Sequence, residues 1–284
     1  MPTFSSYDGT ALAYRVIGSG PALVCFPGGP AQASDYLGDL GGLDRTRSLV
    51  QLDTRGSGAS GVPQDESTYR VDRLVEDVEA LRSHLGLETM DLLGHSAGSN
   101  VATLYAAAYP QRLSHLTLLA GLPRVSGLRP EDWDEVHAAR SGEPWYADAV
   151  AAEAEYEAAD DEASDEELAP LLARMAPFGY GRWDDLAQAH YAAGVTRYGE
   201  PARSKYYAGY EPDPVGLRTR LGRLSAPVLV VAGERDSQPS PAMAVEVAAL
   251  FPNASTVTIP GGGHFPWLDE PSTVADAVER FLAS

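Results

Sequence analysis

The chain of 284 residues has a single cysteine, Cys25, so it forms no disulfide within itself. Cys25 lies inside the apolar run Ala22-Leu23-Val24-Cys25-Phe26, a place for an inert core thiol rather than an exposed nucleophile. There is no stretch of about 18 apolar residues for a membrane-spanning helix. Met1-Pro2-Thr3-Phe4 lacks the charged-then-apolar opening of an export signal. Positive charge is scarce: 21 Lys and Arg stand against 40 Asp and Glu, and Lys205 is the only lysine. The resulting formal charge of −19 disfavours nucleic acid and anionic membranes as partners. Carboxylates and histidines do not combine at zinc-ligand spacing, so no metal or other cofactor is expected.

What the chain does have is Gly94-His95-Ser96-Ala97-Gly98, between the apolar run Met90–Leu93 and the alanine-rich segment Asn100–Tyr109. A Gly-x-Ser-x-Gly between strand and helix is the nucleophile-elbow pattern. The serine sits on a tight turn that glycine neighbours make room for, and its Oγ projects above the sheet at a helix N-terminus. An ordinary glycine-rich turn is the plain alternative, and the strand-turn-helix context argues against it.

A serine hydroxyl needs a histidine to take its proton and a carboxylate to fix the histidine's tautomer. In chain order Ser, acid, His, two later strands supply both. Pro227–Ala232 runs into Gly233-Glu234-Arg235-Asp236, and Ser255–Ile259 runs into Pro260-Gly261-Gly262-Gly263-His264. Taken singly, Asp236 suits a helix cap and His264 an exposed loop. Taken with Ser96, they form a candidate triad of Ser96, Asp236 and His264. Glu234 is the rival acid, expected to face solvent. His95 is expected to pack or hydrogen-bond in the elbow, whereas His84, His115, His137 and His190 show no comparable context. The loop Pro27-Gly28-Gly29-Pro30 after strand Ala22–Phe26 is the place for a second oxyanion donor, so the backbone N–H groups of Gly29 and Ala97 are the candidate oxyanion hole.

Strands are expected at Thr3–Ser6, Leu12–Ile17, Ala22–Phe26, Ser48–Asp53, Met90–Leu93 and Leu113–Ala120, then again from Pro227 and Ser255. Helices are expected at Val71–Leu85, Asn100–Tyr109 and Ser272–Leu282. This alternation implies an α/β fold with a mostly parallel sheet flanked by helices. Between Pro123 and Arg223 the strand pattern vanishes. The division is therefore a core of residues 1–122 and 223–284 with an inserted helical cap, or lid, over 123–222. From Glu131 to Glu167 the cap carries fifteen acids against one base, Arg140. Most of these suit a solvated face, with room for one or two to point inward. Tyr146, Tyr156, Trp183, Tyr206, Tyr207 and Tyr210 suit either a pocket wall or the cap interior, and the sequence does not separate these.

These motifs resemble the α/β-hydrolase superfamily over nearly the whole chain, and within it the proline iminopeptidase-like serine hydrolases. Pro27-Gly28-Gly29-Pro30-Ala31 is similar to that family's His-Gly-Gly-Pro-Gly. Asp53-Thr54-Arg55-Gly56-Ser57-Gly58-Ala59-Ser60 is similar to its Asp-Gln-Arg-Gly-Ser-Gly-x-Ser, and Gly263-His264-Phe265-Pro266-Trp267 to the superfamily's histidine loop. Pro27 departs from the usual histidine, and the elbow departs from Gly-Gly-Ser-Trp-Gly. The resemblance implies an α/β-hydrolase fold and an aminopeptidase that cleaves an N-terminal aminoacyl or prolyl amide through an acyl-enzyme, and the missing export and membrane signals lead to the expectation that it is cytoplasmic. Cap carboxylates would then hold the free amine of a small-molecule or short-peptide substrate, with Glu153, Glu155 and Glu157 as candidates. A carboxylesterase or amidase on a small metabolite is the alternative, including one that removes an aminoacyl group from a natural-product intermediate. A ligand-binding protein on a hydrolase scaffold is the non-enzyme alternative. The sequence carries no sign of a particular oligomeric state.

Overall fold

Eight strands form one sheet in the order β1-β2-β4-β3-β5-β6-β7-β8. They are β1 (Thr3–Ser5), β2 (Ala11–Ile17), β3 (Ala22–Phe26), β4 (Ser48–Leu52), β5 (Met90–His95), β6 (Leu113–Leu119), β7 (Val228–Gly233) and β8 (Ala254–Ile259). The first three neighbours in that order pair antiparallel, and from β4 to β8 every pairing is parallel. The structure is a computed structural model that describes residues 1–160, 164–194 and 199–284.

The helices are α1 (Leu74–His84), α2 (Gly98–Ala108), α3 (Trp133–Ala138), α4 (Tyr146–Glu157), α5 (Asp165–Met175), α6 (Asp185–Gly194), α7 (Ala202–Lys205), α8 (Pro214–Leu221), α9 (Pro241–Ala248), α10 (Pro266–Asp269) and α11 (Pro271–Leu282). Side chains alternate between the two faces of a strand, and the central strands bury both. Val24 and Leu92 join the layer with α1, α2, α8 and α9, while Leu23, Cys25 and Leu93 join the layer with α11. This is why these strands read as unbroken apolar runs. Burial pushes the Cys25 thiol pKa up, in keeping with an inert core position.

Element bounds differ from the sequence reading by at most two residues, except at α1. That helix starts at Leu74 rather than Val71: residues 71–73 form a turn, in which the Val71 N–H donates to the Tyr206 carbonyl at 2.8 Å. α2 begins at Gly98, straight from the elbow, instead of at Asn100. The described part of 123–222 is helical, and no strand occurs there among the described residues. The last helix of this segment is α8. Leu217 and Leu221 are buried in the same core as Val101, Tyr105 and the sheet. Of the acidic stretch, Asp161 and Glu162 lie outside the described residues.

The loop after β4 braces this frame. Asp53 is fully buried and accepts from Ser34 N (2.9 Å), Ser34 Oγ (2.6 Å) and Ala59 N (2.9 Å). Arg55, also fully buried, donates from Nε to Asp77 at 2.8 Å and from Nη1 to Asp8 and Thr68, each at 2.7 Å. The Asp-x-Arg-Gly segment thus ties β4 to α1 and to the β1–β2 turn. Its charged residues are structural ties.

Candidate active site

Ser96 takes a left-handed backbone conformation, φ +51°. For a residue with a side chain this is strained, and such strain persists where the surroundings enforce it. Here they do so by close approach. A Cβ on Gly94 would lie 2.8 Å from that of Ala102, and one on Gly98 would lie 2.4 Å from the Pro27 carbonyl oxygen. β5 and α2 can crowd around Ser96 only because both positions lack a side chain.

His264 Nε2 is 2.8 Å from Ser96 Oγ, and His264 Nδ1 is 2.9 Å from Asp236 Oδ2. An ionised carboxylate only accepts, so the His264 proton sits on Nδ1, and Nε2 is left to accept from the serine hydroxyl. Asp236 is almost fully buried, and its other oxygen accepts from Gln238 N at 2.8 Å. Glu234, the rival acid, is exposed and accepts from Gly261 N at 2.7 Å. It steadies the histidine loop from outside. Asp269 holds that loop from inside, accepting from Gly263 N at 2.9 Å and Gly181 N at 3.0 Å.

The N–H groups of Gly29 and Ala97 donate to no acceptor among the described residues, which leaves both available to a substrate oxygen. The Ala97 peptide is held from its other end, where Tyr206 Oη donates to the Ala97 carbonyl at 2.8 Å. The adjacent Gly28 N–H donates to Tyr36 Oη at 2.7 Å, and Tyr36 Oη lies 2.7 Å from His95 Nδ1. His95 Nε2 in turn is 3.0 Å from the His264 carbonyl. Since a carbonyl only accepts, His95 carries its proton on Nε2, and the Tyr36 hydroxyl donates to Nδ1. Burial, with the His264 and His190 imidazoles nearby, holds His95 well below the ordinary histidine pKa. It is therefore a neutral link.

A cavity of about 570 Å³ opens against His264 and Asp236. Trp133, Leu172, Met175, Phe178, Tyr180 and Phe265 supply its apolar wall. None of the six aromatics singled out in the sequence lines it. Tyr206 is in the core, and Tyr156 and Tyr207 are exposed. His137 and His190, which had no visible context in the sequence, do line it. His137 stacks on Phe178 with ring centroids 3.7 Å apart and lies 3.3 Å from Ser237 Oγ. Only folding of the inserted helices brings these residues beside Asp236 and His264, so no local pattern marks them.

The proposed amine anchors fare unevenly. Glu153 accepts from Trp133 Nε1 at 2.6 Å and contacts His137 Nδ1 at 3.3 Å, so its carboxylate already has partners. Glu155 is exposed and pairs with Arg174 at 3.1 Å, and Glu157 is also exposed. None of the three lines the cavity. A second, open cleft of about 700 Å³ includes Glu234 and Arg235 but none of Ser96, Asp236 or His264. Among the described residues, no three His, Cys, Asp or Glu side chains gather as a metal site, and no helix is long and apolar enough to cross a membrane.

Comparison with known proteins agrees with this architecture. Residues 21–271 match the family model described as the alpha/beta hydrolase fold. A pimeloyl-(acyl-carrier protein) methyl ester esterase of Xanthomonas oryzae pv. oryzae is 30% identical over 278 residues, covering 95% of this chain and 98% of that one. A proline iminopeptidase of Saccharolobus solfataricus is 40% identical over 114 residues, but the match spans only 39% of this chain and 37% of that protein. Among solved structures, an esterase from a Rhodococcus species superposes with a TM-score of 0.76 at 23% identity, covering 100% of this chain and 98% of that one.

Proposed function

The chain belongs to the alpha/beta hydrolase fold family and is a hydrolase, and on that premise we propose that it cleaves carboxylic esters of small molecules by acyl transfer through Ser96. The observation that carries this reading is the hydrogen-bonded series Ser96–His264–Asp236, of which His264 and Asp236 line a largely apolar cavity. Ser96 Oγ attacks the ester carbonyl carbon while His264 Nε2 takes its proton. Asp236 keeps the imidazole in the required tautomer and stabilises the imidazolium. The Gly29 and Ala97 N–H groups receive the carbonyl oxygen as it becomes an oxyanion, where one such donor is worth roughly 3 kcal/mol of barrier. As the tetrahedral intermediate collapses, Nε2 returns the proton to the departing alcohol. Water, deprotonated by the same nitrogen, then attacks the acyl-enzyme and releases the acid and Ser96.

The choice of ester over aminoacyl amide rests on the cap. A buried ammonium requires a carboxylate partner, and Glu153 already has partners while Glu155 and Glu157 face away from the cavity. The near full-length resemblance to a methyl ester esterase supports the same choice. The partial match to a proline iminopeptidase favours the aminoacyl or prolyl amide as a second reading, and Glu200, exposed at the cavity's edge, is the carboxylate nearest to that role.

A panel of short-chain methyl and aryl esters set against prolyl and alanyl arylamides separates the two. Ester turnover with arylamides inert is the expected result. Faster cleavage of free-amine arylamides than of esters would overturn the ester reading.

A further inference from the structure

The turn that presents Gly29 closes where the Gln32 N–H donates to the Gly28 carbonyl at 3.3 Å. Gln32 is only 5% exposed and lines the cavity. Its carboxamide donates to nothing and accepts from nothing among the described residues, and neither of its polar atoms is sealed off from open space. Nε2 lies 3.2 Å from where a Cβ on Gly194 would stand, so the side chain extends from the oxyanion turn toward the end of α6. Polar atoms that face a cavity meet solvent when it is empty, and a ligand that displaces that solvent must replace their hydrogen bonds or leave them unpaired. An amide facing a binding cavity is thus matched by a ligand group that completes it.

We propose that Gln32 is the centre of a hydrogen-bonding subsite for an uncharged polar substituent, such as a hydroxyl or acylamino group, carried next to the reacting carbonyl. The position follows from the packing: a Cβ on Gly29, whose N–H is assigned to the oxyanion, would stand 2.9 Å from Gln32 Cβ. The chemistry follows from the amide, which both donates and accepts and has no charge to balance a carboxylate or an ammonium. A charged group held there would be desolvated without a counter-ion. This subsite rests on the reading of the cavity as the ester site, and it sets preference among esters rather than the reaction itself.

Methyl 2-hydroxybutanoate and methyl 2-methylbutanoate differ by a hydroxyl in place of a methyl group of similar size. For the unmodified enzyme, kcat/KM for the hydroxy ester should exceed that for the methyl analogue by about tenfold or more, the order of one buried hydrogen bond. Gln32→Leu should bring the ratio of kcat/KM for the two esters close to one, and Gln32→Asn should retain part of the preference. An equal effect of Gln32→Leu on both esters, or no effect on either, overturns the subsite. If neither ester is cleaved, the ester reading fails by itself. Binding of the two esters to Ser96→Ala, followed by thermal shift with and without Gln32→Leu, then decides the subsite. Tighter binding of the hydroxy ester that disappears with Leu supports it, and equal binding overturns it.

Discussion

His95 Nε2 donates to the carbonyl oxygen of His264 at 3.0 Å, so the residue before Ser96, the proposed nucleophile, anchors the backbone of the histidine that faces it. With Tyr36 bridging His95 Nδ1 to the Gly28 N–H, one buried chain joins the oxyanion turn, the elbow and the histidine loop. Small misplacements of reacting groups are costly, roughly a hundredfold for about 1 Å. His95→Ala should therefore lower kcat by about ten- to a hundredfold with KM little changed. Tyr36→Phe, which removes the link but keeps the ring, should show a smaller loss of the same kind. Steady-state kinetics check this, and a rise in KM at constant kcat would show that the chain shapes binding instead.

The same histidine should leave a mark on stability. Burial holds its folded-state pKa below the unfolded value near 6.5. Between these two values the unfolded chain binds a proton that the native protein refuses. The stability tied to neutral His95 is thus present above about pH 6.5 and lost as pH falls toward the folded pKa. Urea unfolding at pH 7.5 and 5.5 should show a smaller acid-side loss for His95→Gln than for the unmodified protein. Equal losses would mean that other groups account for the acid sensitivity.

At the chemical centre, Ser96→Ala should abolish ester hydrolysis while leaving the unfolding transition in place. A fluorophosphonate should label the unmodified protein once, at Ser96. Asp236→Asn should lower kcat by roughly 10⁴-fold through the wrong histidine tautomer. Glu234→Gln, altering an exposed carboxylate that only braces Gly261, should have a mild effect. Kinetics of the three variants decide between the acids, and a crippled Glu234→Gln beside a mild Asp236→Asn would reverse the assignment.

Arg55 offers a test of the frame apart from the chemistry. Its guanidinium and the Asp77 carboxylate are both buried, and removing one partner of such a pair typically costs about 3–5 kcal/mol. Arg55→Ala should destabilise the protein by that order in urea. Burial pushes the Asp77 carboxyl up while Arg55 opposes this, so the variant's Asp77 should be easier still to protonate. A carboxyl with a raised folded pKa favours the native state most when protonated, and that contribution fades as pH rises through the folded value. The penalty of Arg55→Ala should thus be smaller at pH 5 than at pH 8. A penalty independent of pH would mean that Asp77 is not left buried and unpaired.

The sheet was legible because central parallel strands bury both faces, and this writes unbroken apolar runs such as Leu23 to Phe26 and Val228 to Ala232 into the chain. Ser96, Asp236 and His264 were legible as candidates because each follows a strand in a turn that contains glycine. The start of α1 was not: residues 71–73 form a turn tied by a hydrogen bond to Tyr206, far along the chain.

Local rules of strand, turn and glycine spacing thus determined, from the sequence alone, the layered fold and the loops that carry the reactive groups. The tertiary structure alone decided which cap side chains reach the cavity. Glu153, Glu155 and Glu157 share one short stretch of acidic sequence, yet one is paired beside Trp133 and His137 and the other two face solvent. Gln32 carries no motif of its own, and only its place beside the cavity, with a carboxamide that has no partner among the described residues, sets it apart. Such distinctions depend on contacts between segments distant in the chain, and a periodicity or a spacing holds no record of them.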